Sequence, residues 1–580
     1  MDVNIGNIAD SFRGLGLAGG TAQPHEQQPL ASTPVHPASL HDATQRLIKH
    51  ADFIAKRVES VKLLAGDATS KRSLSVAEIC SLRGGIKTLR TAASNLQCAI
   101  DALEEATECS VVKRLTSLGD QNALFCWGNS PVPKLLTHFD KDIRKIARKF
   151  LDDASKQDLL WKTAEECYKQ AIFGTLHPDN YFVPLEETYL ESPYDPDFES
   201  EEYYEHENRL DVDLGYAESD RQRILRNIEA RDKRKENWTA FWVSVLNSAP
   251  FGPTLFYPPA SHHLRNLKLR EVPRYLFRTF ETTAVDTNEE GVIASTASRR
   301  RNGEKARVDV LTMDMGEVTE LLDGHLNTAP FDEVPSDDFT SWTSSLLYAI
   351  QYAIWKCRPN QYSGNPNNVK ICAVDTSDFP RGQFAQDICL LNAYYGTAQT
   401  ISDSAKRFFN LRLQREDYYN GEYLSQGAVN IAGRSSVVSL SDLITARLYS
   451  LYSEFADPEG SKQWTNRAKE LHKEWSKERS TTDQEIDLAL GIARRCFPQI
   501  APVDMANILL AFKKRKYPDS ESMDSLLKFR RPPAWADKPV EVRRFWIATE
   551  AARSCEEKAS RTLRSYPRPT FASVLREIFE

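Results

Sequence analysis

Between Phe251 and Leu443 the sequence changes grammar, and this change constrains the fold more than any other feature. The runs PRYLFRTF, VKICAVDTSDFP and EYLSQGAVNIAG are short, rich in β-branched and aromatic residues, and bounded by Pro, Gly, Asn and Asp, as strands broken by turns are. Among them SSLLYAIQYAIWKC repeats apolar residues at helical spacing through Leu347, Ile350, Ile354 and Trp355, after a Ser-rich start suited to capping a helix. Strands and a helix interleaved in this way predict an α+β unit over 251–445.

The flanks read differently. Leu47, Ala51, Ile54, Val58, Val61 and Leu64 recur at three- and four-residue steps, and Ile86, Leu89, Ala93, Leu96 and Ile100 do the same after a Gly84-Gly85 pair expected to break the helix. A third stretch, from Val132 to Ile172, places Leu135, Phe139, Ile143, Ile146, Phe150 and Leu159 on one stripe, so a helical bundle is expected over 41–175. Acids and tyrosines crowd the next segment, which predicts an acidic linker over 176–220 because like charges at that density resist compaction. A connecting helix over 221–250 begins basic and ends aromatic, and a C-terminal helical region is expected over 446–580. Residues 1–40, rich in Gly, Pro, Ala, Ser and His, are expected to form a disordered tail.

Composition limits what such a chain does. Its 580 residues suggest about four units. A formal charge of −7 argues against nucleic acid as the dominant partner, which would need a basic surface. The ten cysteines stand singly, without the spacing of a zinc site or a disulfide framework, and read as thiols in a reducing compartment. His262-His263 has no third ligand spaced for a metal, so no metal is expected. The basic stretch RRRNGEKAR reads as a solvated loop, with a nuclear-import or nucleic-acid patch as the alternative. With no signal-peptide core and no apolar run of about 20 residues, a soluble intracellular protein without membrane attachment is expected, in the cytoplasm with the nucleus left open.

Within the α+β unit three places attract chemistry. Arg278 interrupts an apolar strand, where a charge is costly to bury without an anion or carboxylate beside it. Ser341 and Thr343 alternate along FTSWTSS before the helix opens, and Glu422 begins the third strand. An arginine, two hydroxyls and a lone glutamate suit a substrate with phosphate at one end and a ribose bond at the other. The bland readings are a structural ion pair, a helix cap and a solvated strand end.

The order of YLFRTF, FTSWTSSLLYAIQYA and EYLSQGAVNI, with VKICAVDTSDF between the last two, resembles the ADP-ribosyltransferase fold of the arginine, serine-threonine-serine, glutamate class. That is the class of cholera toxin and pierisin, and of related domains common in filamentous fungi. The resemblance covers about Tyr275 to Leu443 and implies a central split β-sheet domain flanked by helical regions. It also implies NAD as a substrate: Arg278 on its phosphate and ribose, Ser341 and Thr343 shaping the pocket, and Glu422 accepting a ribose hydroxyl as the nicotinamide bond loosens toward an oxocarbenium-like state. Trp342 stands where the family usually has a small residue. Asn420 stands where transferases modifying arginine or a nucleobase carry Glu or Gln, which leaves the protein or nucleic-acid acceptor open. The expectation is an NAD-dependent ADP-ribosyltransferase or NAD glycohydrolase with helical regions that select partners. The alternative is a non-enzymatic interaction protein carrying a degenerate form of the same fold.

Overall fold

A computed structural model of the chain describes residues 39–70, 73–120, 130–153, 157–183, 214–257, 267, 271–282, 291–295, 297–298, 307–327, 337–358, 364–415, 419–460, 464–516, 533, 539–562 and 575. Nearly all of the expected N-terminal tail, most of the acidic linker, His262, His263 and all but the last residue of RRRNGEKAR lie outside the described residues. The chain divides into two compact units, one ending at Thr107 and the other beginning at Glu108. The bundle expected over 41–175 is therefore split, with the boundary inside a helix.

The first unit contains helix α1 (Leu40–Ser70) and most of α2 (Val76–Asp120). The break expected at Gly84-Gly85 is absent, since α2 runs through both glycines. A glycine inside a helix costs about 1 kcal/mol against alanine. At Gly85 the missing side chain is what permits contact, because a Cβ there would stand 2.8 Å from Cγ2 of Val61 on α1.

The helical part of the second unit comprises the end of α2, then α3 (Val132–His138), α4 (Asp140–Asp153), α5 (Leu159–Phe173) and α6 (Leu214–Ser248). Leu135, Ile143 and Trp161 join Trp238, Phe241 and Trp242 in one buried core. Trp238 stacks on Phe241 with centroids 5.7 Å apart and meets Trp242 edge-on at 5.5 Å. Its indole N–H donates to the Leu176 carbonyl at 2.9 Å, so the polar edge of a buried ring is satisfied. The aromatic end of the expected connecting helix is thus core rather than connector.

A mixed helix and sheet architecture follows, as expected of an α+β unit. Strands β1 (Tyr275–Glu281), β3 (Phe339–Thr343), β4 (Val369–Asp375), β5 (Ala385–Gln386), β6 (Glu422–Gln426) and β8 (Ser435–Ser439) form one antiparallel sheet in the order β5-β6-β3-β1-β4-β8. Strands β2 (Val292–Ala294) and β7 (Ala428–Asn430) pair separately. Strands β1 and β4 share seven register pairs, whereas β1 and β3 share only Phe277 with Thr343.

Both faces of the sheet are covered, which is why its strands read as nearly continuous apolar runs. Tyr275, Phe277, Ile371 and Ala373 face one core, while Leu276, Trp342, Cys372 and Tyr423 face another that includes Ile293 and Val429 of the small sheet. Helix α7 (Met315–Asn327), α9 (Asp387–Ile401) and α10 (Asp403–Gln414) cover Phe339 and Leu424 in a third. Helix α8 (Leu346–Lys356) is buried on nearly every side, and the Ser345 hydroxyl caps it by accepting from the Tyr348 N–H at 3.1 Å.

The first of these cores does not stop at residue 445. Helices α11 (Leu440–Thr445), α12 (Thr465–Glu474), α13 (Asp483–Cys496), α14 (Pro502–Leu510) and α15 (Val540–Thr562) bring Leu443, Leu471, Ile486, Met505 and Ala548 into the same buried core as Phe277 and Ile371. The boundary expected between 445 and 446 falls inside one hydrophobic core. Among the described residues no helix is long and apolar enough to cross a membrane.

Candidate functional site

The three motif strands, distant in sequence, lie side by side as β6, β3 and β1. The Arg278 guanidinium donates through Nη1 to the Ser341 carbonyl at 2.7 Å, bridging β1 to β3 where their ladder has parted. Thr343 stands directly opposite Glu422 across β3 and β6. Register separates the side chains by face. Arg278 is paired with Cys372, whose side chain packs with Trp342 and Tyr423, and residues alternate along a strand, so Ser341, Thr343 and Glu422 belong to the other face. The large Trp342 is accommodated because it points into that second core, where its indole N–H donates to the Ser425 hydroxyl at 2.9 Å.

Neither hydroxyl of the motif bonds to the glutamate. Thr343 Oγ1 donates to the Asn420 carbonyl at 2.7 Å and accepts from the Ser345 N–H at 3.0 Å, holding the turn before β6 against the start of α8. Ser341 Oγ lies 2.9 Å from Nε2 of His325, in the last turn of α7.

Glu422 has other company. Its Oε2 accepts from Arg412 Nη2 at 3.1 Å and lies 3.4 Å from Asn420 Nδ2. The same Arg412, on α10, bonds Asp387 at the start of α9 at 2.5 Å. Asp387 is fully buried, and burial raises its carboxyl to about 6 even though Arg412 pulls it down and Glu422 pushes it up. Burial pulls the Arg412 guanidinium down, but the two carboxylates outweigh it and hold the group above its usual value. The cluster contains two acids and one cation, so once Asp387 is ionised it carries a net negative charge. Of the two acids, Glu422 is the more exposed, with 17% of its side chain accessible against none for Asp387.

Gly421 positions the glutamate. It adopts φ +70°, a left-handed conformation that favours glycine, and its carbonyl accepts from the Ser344 N–H at 2.8 Å. Sequence reasoning missed His325, Arg412 and Asp387. Each comes from a helix lying outside the motif strands, and no local spacing marks it. Among the described residues no group of three or more His, Cys, Asp or Glu side chains could hold a metal ion.

A family model described as a domain of unknown function, DUF7587, matches residues 271–432. The match runs from just before β1 to just after β7 and includes all of the residues described above as contributing to the site. No curated protein and no solved structure matches the chain.

Proposed function

We propose that the unit around β1, β3 and β6 binds NAD and cleaves its nicotinamide-ribose bond, passing ADP-ribose to a protein or nucleic-acid acceptor or to water. One observation carries this reading. The arginine, hydroxyl and glutamate strands are neighbours, with Arg278 bonded to the backbone of Ser341 and Thr343 opposite Glu422. In this reading Glu422 supplies negative charge where the ribose becomes cationic. Arg278 supports this arrangement from the other face by holding the Ser341 carbonyl, and Asn420 lies 3.4 Å from the glutamate.

Incubation of the purified protein with NAD labelled in the nicotinamide ring tests the reading. Release by the wild type and its fall by about 100-fold or more in Glu422→Ala is the expected result. No release from a folded wild-type sample overturns it.

A second reading, an interaction protein with a lapsed site, is favoured by Arg412. A guanidinium 3.1 Å from Glu422 opposes positive charge in a bound ribose. In that case wild type and Glu422→Ala leave NAD equally intact.

A further inference from the structure

Ser341, His325 and Asp337 form a chain of hydrogen bonds that the NAD reading does not use. Ser341 Oγ is 2.9 Å from His325 Nε2, and His325 Nδ1 is 2.9 Å and 3.1 Å from the two oxygens of Asp337. Asp337 is buried, with 4% of its surface exposed, and its Oδ1 also accepts from the Phe339 N–H at 2.9 Å, which fixes the carboxylate. The Phe339 ring meets the imidazole edge-on at 5.6 Å. A carboxylate can only accept, so Nδ1 carries a proton, and in the neutral imidazole Nε2 then presents its lone pair to the serine hydroxyl. Ser341 and His325 are partly exposed, while the orienting acid is not.

We propose that Ser341 is a nucleophilic serine activated by His325, with Asp337 as the residue that positions the imidazole, and that the centre takes carboxylic esters or thioesters. The attacking Oγ bonds the carbonyl carbon as its proton passes to Nε2 of His325. The bond to the leaving alcohol or thiol then breaks, and that group departs with the proton from His325. A water molecule, deprotonated in turn by His325, attacks the acyl-serine, releases the carboxylic acid and restores the hydroxyl. Arg278, on the other face of the sheet, holds the backbone carbonyl of the same serine and so fixes the strand that carries the nucleophile. Nothing in these steps needs a dinucleotide, so this proposal stands or falls separately from the NAD reading.

The test is covalent capture without NAD. The folded full-length chain is incubated with a fluorophosphonate probe and the adduct is mapped by peptide mass spectrometry, with the guanidinium-unfolded chain as the reference for a serine lacking the relay. The expected result is an adduct on Ser341 that forms at least about 100-fold faster in the folded chain, slows by a similar factor in His325→Gln, and is slowed also in Asp337→Asn. A folded wild type with no adduct on Ser341 overturns the proposal, as does labelling no faster than in the unfolded chain. If His325→Gln fails to fold, the folded-to-unfolded ratio of the wild type decides alone. If it folds and labels at the wild-type rate, the serine is not activated by that histidine and the proposal fails.

Discussion

At the scale of single residues, Arg412 decides how much charge Glu422 has to offer. Below about pH 6 Asp387 takes up a proton, leaving the guanidinium to neutralise Glu422; above it Asp387 ionises and engages the cation, and the pair's excess negative charge is left with the more exposed acid. If the NAD reading holds, nicotinamide release rises as pH increases through about 6, and Asp387→Asn lowers release and removes that rise, which a pH-rate profile of the two proteins measures. Arg278 and Glu422 stand out in the sequence because each is a charge among apolar residues or at a strand start. Arg412 and His325 do not, since a basic residue on a helix looks the same whether it faces water or a buried carboxylate.

Among the elements, strand identity was readable and strand order was not. YLFRTF, VKICAVD and EYLSQ become β1, β4 and β6, and the Ser-rich start of α8 caps it as its composition suggested. Yet β3 pairs with β6 about 80 residues downstream, a contact that alternation within either segment does not encode. The turn that delivers Glu422 is more local. Alanine at Gly421 meets a left-handed backbone and a Cβ crowded first by Oγ of Ser344 and then by Cδ of Pro539 at 2.7 Å, whereas Gly433, at the same φ of +70°, has nothing within 4 Å. Gly433→Ala is expected to cost about 1 kcal/mol and Gly421→Ala distinctly more, about 2–4 kcal/mol, as read by urea unfolding. Equal losses in the two variants contradict the close packing of Gly421 against Ser344 and Pro539.

For the molecule as a whole, the α+β unit and the helices after it share one hydrophobic core. Phe277 and Ile371 of the sheet pack in the same cluster as Ile486, Phe497 and Met505. The sequence divides these regions because its periodicity changes near residue 441, and periodicity reports element type without reporting which elements share an interior. A fragment spanning 251–445 is expected to lack a cooperative thermal transition, while residues 108–580 retain one; a sharp transition in the fragment sinks the idea. A last consequence concerns the gap between β1 and β3. Since these strands share a single register pair and Arg278 reaches across to the Ser341 carbonyl, that guanidinium works as a suture closing a seam in the sheet. Cutting it by Arg278→Ala unpicks the architecture along with any ligand contact, so inactivity in that variant says little about binding, and Glu422→Gln, which keeps the shape and removes the charge, is the sharper instrument.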